Sequence, residues 1–326
     1  MNMVIKVLLI ILAVAVVAMV AAYLALLRAD IPYAKLEAKY ANGASRFMDL
    51  PGGVRLHYRD QGNPRGPAVV MVHGYSASLQ AWEPWVARLG GDYRIVTLDL
   101  PGHGLTRAPA GYKATIDGYA DLVDDLARRL GLGPYVVVGN SMGGAVAWDD
   151  ALRHGDDVRA LVLVDAAGWP ERIRSGDGPL IFKILANPVG RALIKNIDTR
   201  STAADGLRAA YLDPALVTPA LVDRYVELSR APGHRDILLS IGQPSGITPQ
   251  TFKAIAAPTL VMHGVDDKLI PYADGKAFAA AIPGAVLISY PGVGHVPMEQ
   301  IPDKSAADLA AFLKTLNTPT FTPRSG

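Results

Sequence analysis

The ten residues 135–144, Tyr-Val-Val-Val-Gly-Asn-Ser-Met-Gly-Gly, constrain this chain more than any other stretch. A β-branched run stops at Gly139-Asn140-Ser141-Met142-Gly143, and a helical pattern over residues 144–153 begins at once. That order predicts a strand, a sharp turn and a helix, the arrangement of a nucleophile elbow. The turn forces Ser141 into a strained backbone conformation, and Gly139 and Gly143 bring no Cβ to clash beside it. Its hydroxyl then stands clear of the sheet, over a helix N-terminus whose amides favour developing negative charge. A chance match in a loop would lack the flanking strand and helix.

Outwards from the elbow, short apolar runs alternate with helical patterns. Strands are predicted over residues 46–50 and 54–59, as a hairpin about Pro51-Gly52-Gly53, and over 68–72, 93–98, 160–164, 259–263 and 286–290. Helices are predicted over 79–89, 116–130, 273–281 and 303–316, with Trp82 and Trp85 read as core. Such alternation implies a mostly parallel sheet with helices on both faces. The 326 residues suffice for one α/β domain with an insertion and a sizeable core.

Residues 169–254 break the rhythm. They carry no strand pattern, helical runs at 180–186, 191–197 and 221–229, and repeated Pro and Gly. Insertions in an open α/β sheet lie over the C-terminal strand ends, where ligands bind. The expected organisation is a core in two parts, 46–168 and 255–316, a helical cap at 169–254 over Ser141, and a mobile tail at 317–326.

Residues 7–27 form a run of 21 positions without a charge, long enough at ~1.5 Å per residue to cross the ~30 Å hydrocarbon layer. The apolar part of a signal peptide is shorter, ~7–15 residues. Residues 1–28 are therefore read as one N-terminal transmembrane anchor, and 29–45 as a polar connector. Lys6 precedes the span while Arg28, Lys35, Lys39 and Arg46 follow it, which leans the domain toward the cytoplasmic face. A net charge of +2 with no block of like charges gives no support to a nucleic-acid partner. The chain has no cysteine, which excludes disulfides, thiolate catalysis and cysteine-ligated zinc.

A serine hydroxyl needs a base, and the base an orienting acid. Of the seven histidines, His295 alone follows both a strand and a flexible turn, Pro291-Gly292-Val293-Gly294, and it is read as the general base. His73, His103 and His263 are read as structural hydrogen-bonding groups, and His57, His154 and His234 have no strand-end loop to place them. The strand at 259–263 runs into Gly264-Val265-Asp266-Asp267, which leaves two adjacent carboxylates for the acid. Asp267 is preferred, because three residues past Gly264 the turn can redirect its side chain toward the histidine, whereas Asp266 suits a loop cap. The oxyanion needs backbone donors, for which the amides of Met142 and of Tyr75, just after His73-Gly74, are the candidates; the Tyr75 side chain can line the pocket as well.

From about residue 46 to 316 the chain resembles the α/β-hydrolase superfamily. The motifs that carry this are His73-Gly74, Asp99-Leu100-Pro101-Gly102-His103-Gly104, Gly139-Asn140-Ser141-Met142-Gly143-Gly144, Gly264-Val265-Asp266-Asp267 and Gly294-His295, in that order. The order Ser141, Asp267, His295 is that of the superfamily's triad. With the membrane helix and the cap, the chain looks most like bacterial family V lipases and esterases and membrane-anchored monoacylglycerol lipases. This resemblance implies Asp267 as the triad acid, Tyr75 and Met142 as the oxyanion hole, no metal or cofactor, and a bacterial inner-membrane location.

Dehalogenases and epoxide hydrolases of this superfamily use an aspartate where this chain has Ser141. Meta-cleavage-product hydrolases share the elbow, but usually carry a Gly-Pro-Gly oxyanion loop and a tryptophan after the histidine. Here the loop is Gly74-Tyr75-Ser76-Ala77-Ser78, and Val296 follows His295. Non-haem perhydrolases share the triad, and peracid formation as a side activity stays open. The expected function is hydrolysis of carboxylic esters, glycerol esters or other short to medium acyl esters, through an acyl-enzyme on Ser141. The alternatives are carbon–carbon bond hydrolysis and a non-catalytic binding role at the membrane.

Overall fold

The computed structural model describes residues 3–170, 187–242, 244 and 246–316. Eight strands form one sheet: β1 (Ser45–Leu50), β2 (Val54–Gly62), β3 (Ala68–Val72), β4 (Arg94–Leu98), β5 (Tyr135–Asn140), β6 (Val158–Val164), β7 (Thr259–Gly264) and β8 (Val286–Tyr290). Their order is β1-β2-β4-β3-β5-β6-β7-β8. The β1–β2 and β2–β4 pairs are antiparallel and all others parallel. This is the mostly parallel sheet of an α/β-hydrolase fold, as the sequence predicted.

The helices are α1 (Met3–Leu26), α2 (Tyr33–Tyr40), α3 (Glu83–Leu89), α4 (Ile116–Arg129), α5 (Met142–Arg153), α6 (Pro188–Ile194), α7 (Arg200–Tyr211), α8 (Pro219–Ser229), α9 (His234–Leu238), α10 (Tyr272–Ala281), α11 (Pro297–Gln300) and α12 (Pro302–Thr315). Alternate residues of β3 divide the core. Val70 and Val72 pack with Tyr119 and Val123 of α4 and Val146 of α5, while Val69 and Met71 pack with Trp85 of α3 and Leu309 of α12. The period of two on a strand meets the 3.6-residue period of helices above and below it. Trp82 and Trp85 are fully buried, as expected for core residues. Where a helix begins, the sequence supplies the cap: Thr115 Oγ1 accepts from Gly118 N at 3.2 Å, ahead of buried Ile116, Tyr119, Ala120 and Val123.

Several features differ from expectation. Residues 29–45 are not simply a connector, because α2 forms there and buries Leu36 against Leu105, Leu228 and Ala231. Its one buried side chain, Leu36, sets too weak a pattern to announce a helix. Between residues 187 and 242, α7 and α9 went unpredicted, and α6 ends at Ile194 rather than continuing to residue 197. The helix expected at 180–186 and the tail at 317–326 lie outside the described residues.

The segment after α6 instead meets the end of α1. Leu27 and Ile197 form an antiparallel bridge, Arg28 N donates to Asn196 O at 2.7 Å and Asp198 N to Leu26 O at 2.8 Å. Arg28 also pairs with Asp198 at 3.0 Å. Beyond it, Arg230 donates to Ala29 O at 2.8 Å and Arg235 to Arg28 O at 2.9 Å. The apolar helix α1, 24 residues with none buried, is long and apolar enough to cross a membrane, and its end is joined directly to residues 196–198.

Candidate active site

Strand β5, buried along its whole length, delivers the elbow. Ser141 follows it at φ 55°, ψ −121°, and α5 starts at the next residue. A Cβ on Gly139 would lie 2.0 Å from Gly143 O, and one on Gly143 2.1 Å from Val72 O, so both positions require glycine. Strain of this kind costs about 1–3 kcal/mol and persists only when its surroundings over-determine it. Here Ser141 N donates to Val164 O at 3.0 Å, and Ser141 O accepts from the amides of Gly144 and Ala167, each at 2.9 Å.

His295 arrives on the loop after β8. Its Nδ1 donates to Asp267 Oδ2 at 2.7 Å, which leaves Nε2 as the nitrogen able to accept a proton. Three bonds hold this loop: His295 N to Ala210 O of α7 at 2.8 Å, Gly294 N to Gln300 Oε1 at 2.9 Å, and Asn140 Nδ2 to His295 O at 3.0 Å. Asn140, beside the elbow serine, thus ties the elbow to the histidine loop. Sequence reading passed it over, since an amide inside a nucleophile motif has no spacing of its own to mark it.

Asp267 Oδ1 accepts from the amides of Leu269 at 2.7 Å and Ile270 at 3.1 Å. The neighbouring Asp266 accepts from Gly292 N at 2.7 Å and caps the other turn. Ser141, Tyr75, Asn140 and His295 line one cavity of about 550 Å³, whose apolar wall includes Leu207, Val226, Leu238 and Val296. Lys195, Ile197, Thr199 and Arg235, on or beside the segment where α1 ends, line it too. Tyr75 is 48% exposed, and its hydroxyl donates to Leu238 O at 3.1 Å. Among the described residues, neither the Tyr75 nor the Met142 amide donates to a protein acceptor.

The loop after β3 is braced by His73, whose Nδ1 donates to Gly74 O at 2.8 Å while Nε2 accepts from Leu100 N at 3.1 Å. Burial lowers its affinity for a proton, which suits that neutral, one-donor role. His57 is likewise consumed internally, with Nδ1 on Asp99 Oδ2 at 2.7 Å and Nε2 on Ser45 Oγ at 2.9 Å. His234 bonds the carbonyls of Leu228 and Thr106, each at 2.9 Å. His154 lies at the surface beside Asp121.

A second carboxyl, unanticipated from sequence, lies behind Asp267. Asp165 closes β6 at φ 45° and is fully buried; its Oδ1 accepts from Gly264 N at 2.8 Å. Burial first, and then the charge of Asp267, push its carboxyl well above the ordinary carboxylate range. Ligand-type atoms of Asp165, His263 and Asp267 lie within 4.8 Å of one another. The set suits a cation poorly. Asp267 Oδ2 already holds His295, and His263 Nε2 donates to Ile270 O at 3.1 Å.

Comparison with known proteins agrees with the fold. The profile described as "Alpha/beta hydrolase family" matches residues 69–311. A monoacylglycerol lipase of Mycolicibacterium smegmatis is 29% identical, over 79% of this chain and 91% of its own. A 2-hydroxy-6-oxo-6-(2'-aminophenyl)hexa-2,4-dienoic acid hydrolase of Metapseudomonas resinovorans is 27% identical, over 86% and 93%. The solved structure of a membrane phospholipase A, described as a novel bacterial virulence factor, superposes with a TM-score of 0.69 at 23% identity. It covers 98% of this chain and 100% of its own, a share too large to omit α1.

Proposed function

Since the chain belongs to the alpha/beta hydrolase family, we propose that it is a membrane-anchored carboxylic ester hydrolase acting through an acyl-enzyme on Ser141. The observation that carries the proposal is the strained Ser141, at the start of α5, sharing a cavity with His295, whose Nδ1 is held by Asp267. His295 Nε2 takes the Ser141 proton as Oγ attacks the ester carbonyl carbon. The tetrahedral oxyanion is held by the Tyr75 and Met142 amides. The imidazolium passes its proton to the departing alcohol as the acyl-enzyme forms. Water, deprotonated by the same nitrogen, then releases the carboxylic acid and restores Ser141. No step calls for a cofactor.

The substrate class proposed is an acylglycerol or other amphiphilic acyl ester. A largely apolar cavity of about 550 Å³ suits an acyl chain, and the wall segment carrying Lys195, Ile197 and Thr199 is the one on which the apolar helix α1 ends. That arrangement supports an anchor at a bacterial inner membrane and a cavity held close to lipid. Residues 169–254 then act as the cap, within the division set out from the sequence. Val296 after His295, and an oxyanion loop without Gly-Pro-Gly, favour ester over carbon–carbon cleavage.

The test is hydrolysis of p-nitrophenyl esters and monoacylglycerols by the full chain, with fluorophosphonate labelling in parallel. Ser141→Ala is expected to lower kcat by about 10⁶-fold and to abolish labelling. Undiminished turnover in that variant rejects the mechanism, and turnover of a meta-cleavage dienoate above that of every ester moves the assignment to carbon–carbon hydrolysis.

A further inference from the structure

The carboxyl behind Asp267 has no role in the scheme above, yet its surroundings are restrictive. Asp165 and Asp267 are both closed off from solvent, with side chains at 0% exposure. Asp267 is saturated by the Leu269 and Ile270 amides and by His295 Nδ1. Asp165 Oδ1 has the Gly264 amide, but its Oδ2 meets no protein donor. The groups facing the pair are His263, His295 and, across the sheet, Tyr290.

None of the three supplies Asp165 with a fixed positive charge. His263 spends its Nε2 proton on Ile270 O at 3.1 Å, although that nitrogen lies 3.7 Å from an oxygen of each carboxyl. Its Nδ1 has no partner and packs where a Cβ on Gly275 would come within 2.4 Å, so the ring is a neutral, single-donor imidazole. Tyr290 donates its hydroxyl to Asp308 at 2.9 Å. The remaining ring, His295, has its Nδ1 committed to Asp267. Two adjacent carboxylates without a counter-charge cannot both stay ionised in such a place, and one of them takes a proton.

We propose that Asp165 is a positioning residue whose carboxyl keeps a proton on Oδ2 and donates it to Asp267, so that the pair presents a single negative charge to His295. The arrangement follows from the acceptor counts. Asp267 has three fixed donors and serves as the anion, whereas Asp165 has one donor and an Oδ2 without a partner, and carboxyl oxygens of the two residues lie within 4.8 Å of each other. The O–H bond fixes the Asp267 plane from behind, as the Leu269 and Ile270 amides fix it from the side. It also spreads the charge of Asp267 over two groups, so that Asp267 orients the imidazole without taking its proton. The β6 end and its positive φ at Asp165 place this second carboxyl there.

The role rests on the proposed Ser141–His295–Asp267 mechanism, but its central claim, a protonated carboxyl, can be read without turnover. Infrared difference spectra of wild type against Asp165→Asn are expected to show a protonated carboxylic-acid carbonyl band, lost in the variant, at neutral pH. In kinetics on a soluble p-nitrophenyl ester, Asp165→Ala is expected to lower kcat by roughly 10-fold to 10²-fold, the scale of a misplaced catalytic group, with KM changed less than 2-fold. Asp165→Asn, which keeps a donor toward Asp267 and an acceptor for Gly264 N, recovers most of that loss and leaves the acid limb of kcat/KM in place. An ionised Asp165 would favour a charged imidazole, and its removal would move that limb down by a unit or more. Absence of the band, a limb moved by that amount in Asp165→Asn, or a full kcat in Asp165→Ala each overturns the proposal. Inactivity of wild type on every ester, with the band present, overturns instead the ester-hydrolase assignment and leaves the shared proton standing.

Discussion

Two sets of serine, histidine and aspartate occur in this molecule, with the same spacing between ring and acid. In one, Ser45 Oγ meets His57 Nε2 at 2.9 Å and His57 Nδ1 meets Asp99 Oδ2 at 2.7 Å. In the other, His295 Nδ1 meets Asp267 Oδ2 at 2.7 Å on the cavity that Ser141 lines. What separates them is the backbone. Ser45 sits in an ordinary antiparallel ladder opposite Arg59, whereas Ser141 is forced to φ 55° at the start of a helix. The ring of His57 is wholly buried, and Asp99 also takes the amides of Leu79 and Leu105. The lesson is that a string of three side chains is a structural brace until strain, unoccupied amides and a cavity are added to it.

The sharpest way to break the comparison is to remove each acid. Asp267→Ala is expected to lower kcat by about 10⁴-fold, with a smaller effect on folding. Asp99→Ala leaves His57 Nδ1 and the amides of Leu79 and Leu105 buried without a partner and is expected to cost about 3–5 kcal/mol of stability. Urea unfolding and ester turnover measured on both variants should separate the two; an Asp99→Ala protein as stable as wild type would make the brace dispensable.

Acid and base should separate the same regions. Burial works to raise the Asp99 carboxyl, but the hydrogen bond and charge of His57 outweigh it and hold the group well below the ordinary range. Its stabilisation is therefore complete above ~3.9, the unfolded value, and is lost as the pH falls toward the folded value. Asp165 has the opposite sign. Its raised carboxyl contributes fully below ~3.9 and loses that contribution as the pH rises through the folded value. Urea midpoints followed from pH 3 to 9 should fall less on the acid side in Asp99→Asn and less on the alkaline side in Asp165→Asn.

The smallest effect is expected from Ser45→Ala. It removes two hydrogen bonds, with His57 Nε2 and from Asn42 N, each worth about 1 kcal/mol, and should leave kcat within about 2-fold, since its partner His57 does not line the cavity. A loss comparable to that of Ser141→Ala would erase the distinction between the two strings.

Sequence made the cavity-side string legible through spacing, because Gly-x-Ser-x-Gly, a strand-end acid and a loop histidine each have a pattern. It also placed β3 and β8 at the residues where they occur, since both are short apolar runs bounded by turns. Ser45, Asn140 and Asp165 had no pattern. Their importance comes from contacts to residues far along the chain, such as Asn140 to His295 and Asp165 to Gly264. The same holds for α2, which is marked by one buried leucine, and for the junction of α1 with residues 196–198, which is a tertiary pairing.

That junction has a practical consequence. A domain hung from a loose leash would swing over its support and show every side to it, but one bolted at Leu26, Arg28 and Ala29 keeps a single attitude. Trimming the chain through Arg28 to obtain a soluble preparation would also strip the partners of Asn196, Asp198 and Arg235 beside the cavity wall. On the proposed function, a chain shortened in this way is expected to differ from the whole one even toward esters that never touch lipid.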